Sequence, residues 1–91
     1  MLPAAFRRAE SEYLRTIAEL RATLQSQRDV LRPETVATVE HSLSVVDSAI
    51  EEARTALLLD PGNVTLVDLL TASYERKVEL LRRAADLGAR T

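Results

Sequence analysis

Apolar residues recur at steps of three and four along three stretches of the chain. This spacing places their side chains on one face of an α-helix. It therefore predicts three amphipathic helices, over about residues 3–30, 33–59 and 64–87. The positions are Phe6, Ala9, Tyr13, Ile17, Leu20, Leu24 and Leu31 in the first stretch, Val36, Val39, Leu43, Val46, Ile50, Ala53 and Leu57 in the second, and Val67, Leu70, Tyr74, Val78, Leu81 and Ala85 in the third.

Prolines and turn residues mark the ends of these helices. Pro33 suits the first turn of the second helix, where no backbone N–H is needed. Pro61 ends that helix, Gly62 tolerates unusual backbone angles, and Asn63 can cap the third helix. Gly88 fits a C-cap of the third helix.

Connections of about four residues require antiparallel neighbours. The pattern therefore predicts an all-α fold, an elongated antiparallel three-helix bundle, with residues 1–91 as a single helical domain. Helices of this length are roughly 36–42 Å long at the α-helical rise. An alternative is an open helical hairpin whose apolar lines are completed by a second chain.

Composition narrows the class of protein. Aromatic residues are only 3% of the chain, so alanine, leucine and valine must fill the core, as suits helices packed side by side. There is no cysteine, which excludes disulfides and thiolate metal sites. No apolar run approaches the roughly 18–20 residues of a membrane span. The first ten residues lack the order of a signal peptide.

Charge is unevenly distributed along the chain. The net charge is −2, but residues 1–32 carry about +2, residues 33–60 about −5 and residues 64–91 about +1. An acidic second helix between two mildly basic ones favours antiparallel packing in a three-helix unit. The second helix also carries a second apolar line, Val45, Ala49 and Ala56, about 100° round from its first. Such a broad face is what a middle helix that contacts two neighbours would need. The overall acidity gives no general attraction to nucleic acid. The basic doublets, Arg7-Arg8, Arg76-Lys77 and Arg82-Arg83, are separated by acids, so no nucleic-acid partner is expected.

Candidate catalytic chemistry is sparse. His41 is the sole histidine, and its neighbour Glu40 points about 100° away on a helix, so the two do not converge on a metal. Glu51 and Glu52 are expected on a solvated face. Two glycines cannot build a phosphate-binding loop. We therefore predict no catalytic residue, no metal ligand and no cofactor, and a protein that is not an enzyme.

A second leucine line on the third helix is the main candidate interaction surface. It consists of Leu66, Leu69, Leu80 and Leu87. In a closed bundle this line faces a neighbouring helix. Otherwise it marks a surface for self-association, such as a homodimer, or for a protein partner.

Several segments, in the same order along the chain, resemble a known family. They are Glu12-Tyr13-Leu14 with Ile17-Ala18-Glu19-Leu20, Leu31-x-Pro33-Glu34-Thr35, Val46-Asp47-x-Ala49-Ile50-Glu51-Glu52-Ala53-Arg54 with Ala56-Leu57, Asp60-Pro61-Gly62-Asn63, and Arg76-Lys77 with Leu80-Leu81-Arg82. This order resembles the extracytoplasmic helical region of putative zinc-finger-type, membrane-anchored anti-sigma factors of bacteria. The resemblance implies a sensing or assembly domain outside the cytoplasm. The family's Cys/His zinc module and membrane helix are absent from this sequence, so membrane contact is expected only through a segment outside it.

A weaker, local resemblance is to the junction of a tetratricopeptide repeat. It rests on Ala49, Ala53, Ala56, the run from Leu59 to Asn63, Leu70 and Tyr74. Only one such junction is present, whereas a solenoid stacks several. The leading hypothesis is a non-catalytic protein-interaction or sensory domain. The alternatives are a structural homo-oligomerisation module and a small tetratricopeptide-like adaptor.

Overall fold

The computed structural model describes residues 2–90, and this part of the chain is helical almost throughout. The helices are α1 (Ala4–Ser26), α2 (Pro33–Leu59) and α3 (Val64–Ala89), with a short 3-10 turn at Arg28–Val30. No strand occurs within these residues. The predicted all-α three-helix bundle is confirmed. None of the described helices combines the length and apolar content needed to cross a membrane.

The start of α3 is capped as the sequence predicts. The Asn63 Oδ1 accepts a hydrogen bond from the backbone N–H of Leu66 at 3.1 Å. The Asn63 Nδ2 donates to Asp60 Oδ2 at 3.0 Å, which orients the amide for capping. These bonds partner an otherwise unsatisfied first-turn N–H group and hold the tight connection to α2.

The first helix ends four residues earlier than expected, at Ser26. An α-helix continuing past this point would use the Thr23 carbonyl to accept from the N–H of Gln27. The Ser26 hydroxyl donates to that carbonyl at 2.7 Å. The Gln27 N–H donates to Leu24 instead, at 3.1 Å, which tightens the chain into a 3-10 turn.

The two glycines have different roles from those expected. Within residues 2–90 neither has a positive φ. Gly88 lies inside α3 rather than at its C-cap, because the helix continues to Ala89. A Cβ atom at Gly88 would lie only 2.5 Å from the Oε1 atom of Gln27. Glycine fits at position 88 because Gln27, at the end of α1, occupies the space that a larger side chain would need.

The core is an aliphatic layer along all three helices, and four of its leucines are almost completely buried. These are Leu43, Leu57, Leu70 and Leu81. α3 packs closely against both other helices, whereas the backbones of α1 and α2 stay further apart. The molecule measures 45 × 21 × 14 Å between Cα atoms.

The helix in the middle is therefore α3, and the prediction that the second helix is central is wrong. The reason lies in which side chains each helix turns towards its neighbours. α3 buries a broad apolar face that includes Leu70, Val78 and Leu81. The side of α2 that faces α1 carries Glu40 and Arg54, and these long side chains reach Arg21 and Glu10 of α1 across the wider gap.

Candidate functional site

A buried charge cluster joins all three helices near one end of the bundle. Glu10 of α1 is only 7% exposed. Its carboxylate accepts two hydrogen bonds from the Arg54 guanidinium of α2, from Nε at 2.9 Å and from Nη2 at 3.1 Å. The Tyr74 hydroxyl of α3 donates to the same carboxylate at 2.6 Å. One carboxylate thus holds one side chain from each of the other two helices.

The cluster extends outward through a second tyrosine. The rings of Tyr13 and Tyr74 stack with 5.5 Å between their centroids and 10° between their planes. The Tyr13 hydroxyl donates to Glu75 Oε1 at 3.1 Å. The stacked rings connect α1 to α3, and each hydroxyl has an acidic partner. This arrangement agrees with the expectation that both tyrosines are packing residues.

The electrostatics of the cluster favour a structural role. The hydrogen bond from Arg54 lowers the pKa of Glu10, with a smaller contribution from Tyr74, and together these outweigh the effect of burial. Burial, followed by the bond to the Glu10 carboxylate, raises the pKa of Tyr74 to about 12. At neutral pH Glu10 is therefore ionised and Tyr74 neutral. A carboxylate with a lowered pKa and three donors is a poor proton acceptor.

This cluster predicts the pH range of maximal stability. Because the pKa of Glu10 is lowered on folding, its contribution is present above its ordinary pKa of 4.5 and is lost as the pH falls below it. Because the pKa of Tyr74 is raised, its contribution is present below pH 10 and is lost between pH 10 and about 12. Urea unfolding across pH should show both declines. Tyr74→Phe should reduce the alkaline one selectively, and an unchanged alkaline decline would contradict the assignment.

Further ion pairs join the helices outside this cluster. The Oε1 atom of Glu40 lies 3.7 Å from Nη1 of Arg21 and 4.0 Å from Nη1 of Arg28. Asp47 of α2 accepts from Lys77 at 2.6 Å, and this lysine is 15% exposed. Together with the Glu10–Arg54 pair, these contacts link α2 to α1 and the 3-10 turn through Glu40 and Arg54, and to α3 through Asp47. No group of His, Cys, Asp or Glu side chains within residues 2–90 could hold a metal ion.

The four leucines of the predicted interaction surface do not share one environment. Leu66 and Leu80 are partly buried and pack against the hydrophobic core. Leu69 is 53% exposed and Leu87 is 48% exposed. The structure therefore places two of them largely within the bundle and two at its surface. The interaction role of this line stays a prediction.

An open groove runs between α2 and α3 on the side that α1 does not cover. We call it the hairpin groove. Its apolar lining consists of Val45, Val46, Ala49, Ala72 and Leu80, and polar residues of its lining are Ser42, Glu75, Arg76, Glu79 and Arg83.

The hairpin groove is lined both by Leu80, from the predicted leucine line on α3, and by apolar residues of α2. Val45 is 57% exposed at its α2 edge. Leu69 lies on the same side of α3 as Leu80, because eleven helical residues bring the chain back to within about 20° of the same direction. The sequence identified a second apolar line of Val45, Ala49 and Ala56 on the second helix. Only the packing of the hairpin shows that this line and the leucine line meet.

Sequence reasoning did not identify Glu10. It assigned the core position to Ala9, which the structure shows to be exposed, and this assignment is wrong. Glu10 follows Phe6 by four residues and precedes Tyr13 by three, so it lies on the same helical stripe. A charge inside an apolar stripe was the available signal. Its partner, Arg54, is distant in sequence and becomes apparent only from the fold.

No protein-family model, curated protein or solved structure matches this chain. The comparisons therefore neither support nor oppose the resemblance to anti-sigma factors. That resemblance stays a prediction from the sequence segments alone.

Proposed function

We propose that this chain is a non-catalytic protein-interaction domain that presents the hairpin groove to a protein partner. The observation that carries the proposal is the 57% exposure of Val45 at the edge of the hairpin groove, whose lining is half apolar, together with the 53% exposure of Leu69 about one turn before Ala72 on α3. Single exposed apolar residues are common on proteins, whereas a contiguous apolar strip with a polar rim is typical of an interaction site.

The construction of the bundle supports this function. The α2–α3 hairpin is held together by the Asn63 cap at the turn and by two pairs of buried leucines, Leu57 and Leu70 nearer the turn and Leu43 and Leu81 further from it. α1 is fastened to the opposite side through the buried charge cluster. The hairpin groove is therefore presented by two long helices whose relative position is fixed before a partner binds. Such preorganisation reduces the entropy lost on association.

A more specific part of the proposal concerns the larger protein to which this domain belongs. Following the sequence resemblance, we propose that the bundle is the extracytoplasmic sensory part of an anti-sigma-factor-like regulator. Binding at the hairpin groove would then change the association of the domain, and that change would be passed to the rest of the regulator. The test is the genomic reading frame upstream of Met1. A continuous frame that encodes a Cys/His zinc module and a membrane span supports this setting, and a stop codon just before Met1 removes it.

The interaction role is tested by site-specific photo-crosslinking in the native host. A photoreactive residue at Val45 should give a protein adduct of defined mass on irradiation. The matched control is the same residue at Leu14, which is 51% exposed but lies on α1, outside the hairpin groove. An adduct from Val45 and none from Leu14 supports the proposal. Equal labelling from both positions, or none from Val45, would overturn it.

A further inference from the structure

We infer that the partner at the hairpin groove is a second copy of this chain, in a two-fold dimer in which α2 of each protomer lies against α3 of the other. The inference rests on the proposed function, because it names the occupant of the same surface. It is carried by three properties of the hairpin: helix direction, the distribution of charge, and the size of the face.

Helix direction allows a regular four-helix core. α2 and α3 are antiparallel neighbours within one protomer. A two-fold axis parallel to the helices places α2 of one copy over α3 of the other, again antiparallel. All four neighbouring pairs in the core of the dimer then alternate in direction, as in up-down four-helix bundles. The two α2 helices occupy diagonal positions and do not touch closely.

The distribution of charge selects this orientation over the other two-fold arrangement. α2 carries five acidic residues against Arg54 alone, whereas α3 carries four acidic and four basic residues. An axis perpendicular to the helices would stack α2 against α2 and bring two strongly acidic surfaces together. The axis parallel to the helices places each acidic helix against a neutral one, and like charges directly opposed at an interface are unfavourable.

Two unpaired charges fit the same orientation. Among the residues that the structure describes, Glu52 on α2 and Arg76 on α3 form no ion pair. Measured from the turn at Pro61 and Gly62, their levels along the hairpin differ by about five residues, or roughly 7 Å. The combined reach of a glutamate and an arginine side chain spans this offset. Glu52 of one copy can therefore pair with Arg76 of the other, once on each side of the two-fold axis.

The face is large enough for a specific dimer. From Leu69 to Leu87 it extends about 27 Å along α3 at the α-helical rise. Two helices packed about 10 Å apart present a face roughly 20 Å wide. Each copy would bury on the order of 540 Å², about 1,100 Å² in total, just above the roughly 1,000 Å² expected of a biological interface. Ala49 and Ala72 line the groove at its end nearest the turn, where small side chains allow helices to approach closely.

Analytical ultracentrifugation of the purified chain tests this inference. We expect a reversible dimer at concentrations of about 10 μM to 1 mM, the range of a small interface. Val45→Glu and Leu69→Glu should each weaken the dimer at least about tenfold, because each places a charge in the apolar face that the dimer buries. Leu14→Glu is the control and should leave the dimer unchanged. Circular dichroism will confirm that all three variants stay helical, as substitutions at half-exposed positions should.

A charge swap tests the orientation. Glu52→Arg and Arg76→Glu should each weaken the dimer, and the double variant should recover most of the affinity. Additive weakening in the double variant would overturn the proposed arrangement. A wild-type chain that stays monomeric up to about 1 mM would overturn the dimer itself.

The crosslinking experiment separates failure of the dimer from failure of the proposed function. An adduct from Val45 with the mass of two copies supports the dimer. An adduct with a different protein overturns the dimer and leaves the interaction function in place. Absence of any adduct overturns both.

Discussion

Leu70→Ala is expected to lower the free energy of unfolding by about 3–4 kcal/mol. Leu70 lies on the central helix with no measurable exposure and belongs to the core shared with both other helices. Truncation removes buried apolar surface and leaves a cavity that two packed neighbours cannot easily close. A domain of this length has a total stability of about 5–14 kcal/mol, so the loss is a large fraction of it.

The adjacent residue provides the control. Leu69 has the same side chain on the same helix but is 53% exposed. At concentrations too low for the proposed dimer, Leu69→Ala should cost less than about 1 kcal/mol, because little buried surface is lost and no cavity forms. Urea unfolding followed by circular dichroism measures both values. Similar losses for the two variants would contradict the assignment of Leu70 to the core and Leu69 to the surface.

Arg54→Met is expected to lower the free energy of unfolding by about 2–3 kcal/mol at pH 7. The variant leaves the Glu10 carboxylate, 8% exposed, without its cationic partner. Breaking a fully buried pair in this way costs about 3–5 kcal/mol. The expected loss is smaller because the Arg54 side chain is 43% exposed and partly hydrated. Arg82→Met is the control: Arg82 is exposed and in no ion pair of the described chain, so about 0.5 kcal/mol or less is expected.

The pH dependence of the Arg54→Met variant gives a second, independent readout. Without Arg54, burial should raise the pKa of Glu10 above its ordinary value rather than lower it. A group with a raised pKa stabilises the fold at low pH and loses that contribution as the pH rises. The difference from the wild-type protein should therefore shrink from pH 7 to pH 4. A difference that stays constant would show that Arg54 acts through packing alone.

A triple variant tests whether the bundle requires the charged cluster itself, or only requires that Glu10, when present, has a partner. Replacing all three members of the cluster, as Glu10→Leu, Arg54→Met and Tyr74→Phe, leaves no unpaired polar group. Well-packed apolar replacements of buried ion pairs are often neutral or stabilising. We expect this triple variant to lie within about 1 kcal/mol of the wild-type protein. A loss as large as that of Arg54→Met alone would show that the cluster itself supplies stability.

The limits of sequence-based prediction are clearest in the first helix. Its existence follows from periodicity, but its end does not. At this end the Gln27 N–H donates to the Leu24 carbonyl rather than to the Thr23 carbonyl, which accepts from the Ser26 hydroxyl. The two possible acceptors for the Gln27 N–H, the carbonyls of Thr23 and Leu24, differ little in energy. Which of them is used depends on where the chain must turn to reach α2. The same holds for Gly88, which the sequence suggests as a cap and the structure shows as a contact point for Gln27.

The sequence also predicts only part of the candidate interaction surface. The leucine line on α3 and the small-residue line on α2 are each visible in the helical pattern. Whether a flanking residue is covered depends on the direction from which the next helix approaches. Leu80 lies in the groove between α2 and α3 and is partly buried, whereas Leu69, on the same side of α3, stays 53% exposed. The spacing of residues along α3 does not predict that Leu80 is partly buried and Leu69 exposed.

The sequence by itself determined three helices, the bounds of α2, the Asn63 cap and most core positions, because these depend on short-range spacing and local hydrogen bonding. The tertiary structure alone decided that α3 is central, that Glu10 is buried against Arg54 and Tyr74, and that an apolar groove stays open between α2 and α3. Each of these depends on how a helix is rotated about its axis relative to two others. That rotation is set by the summed packing of side chains far apart in the chain.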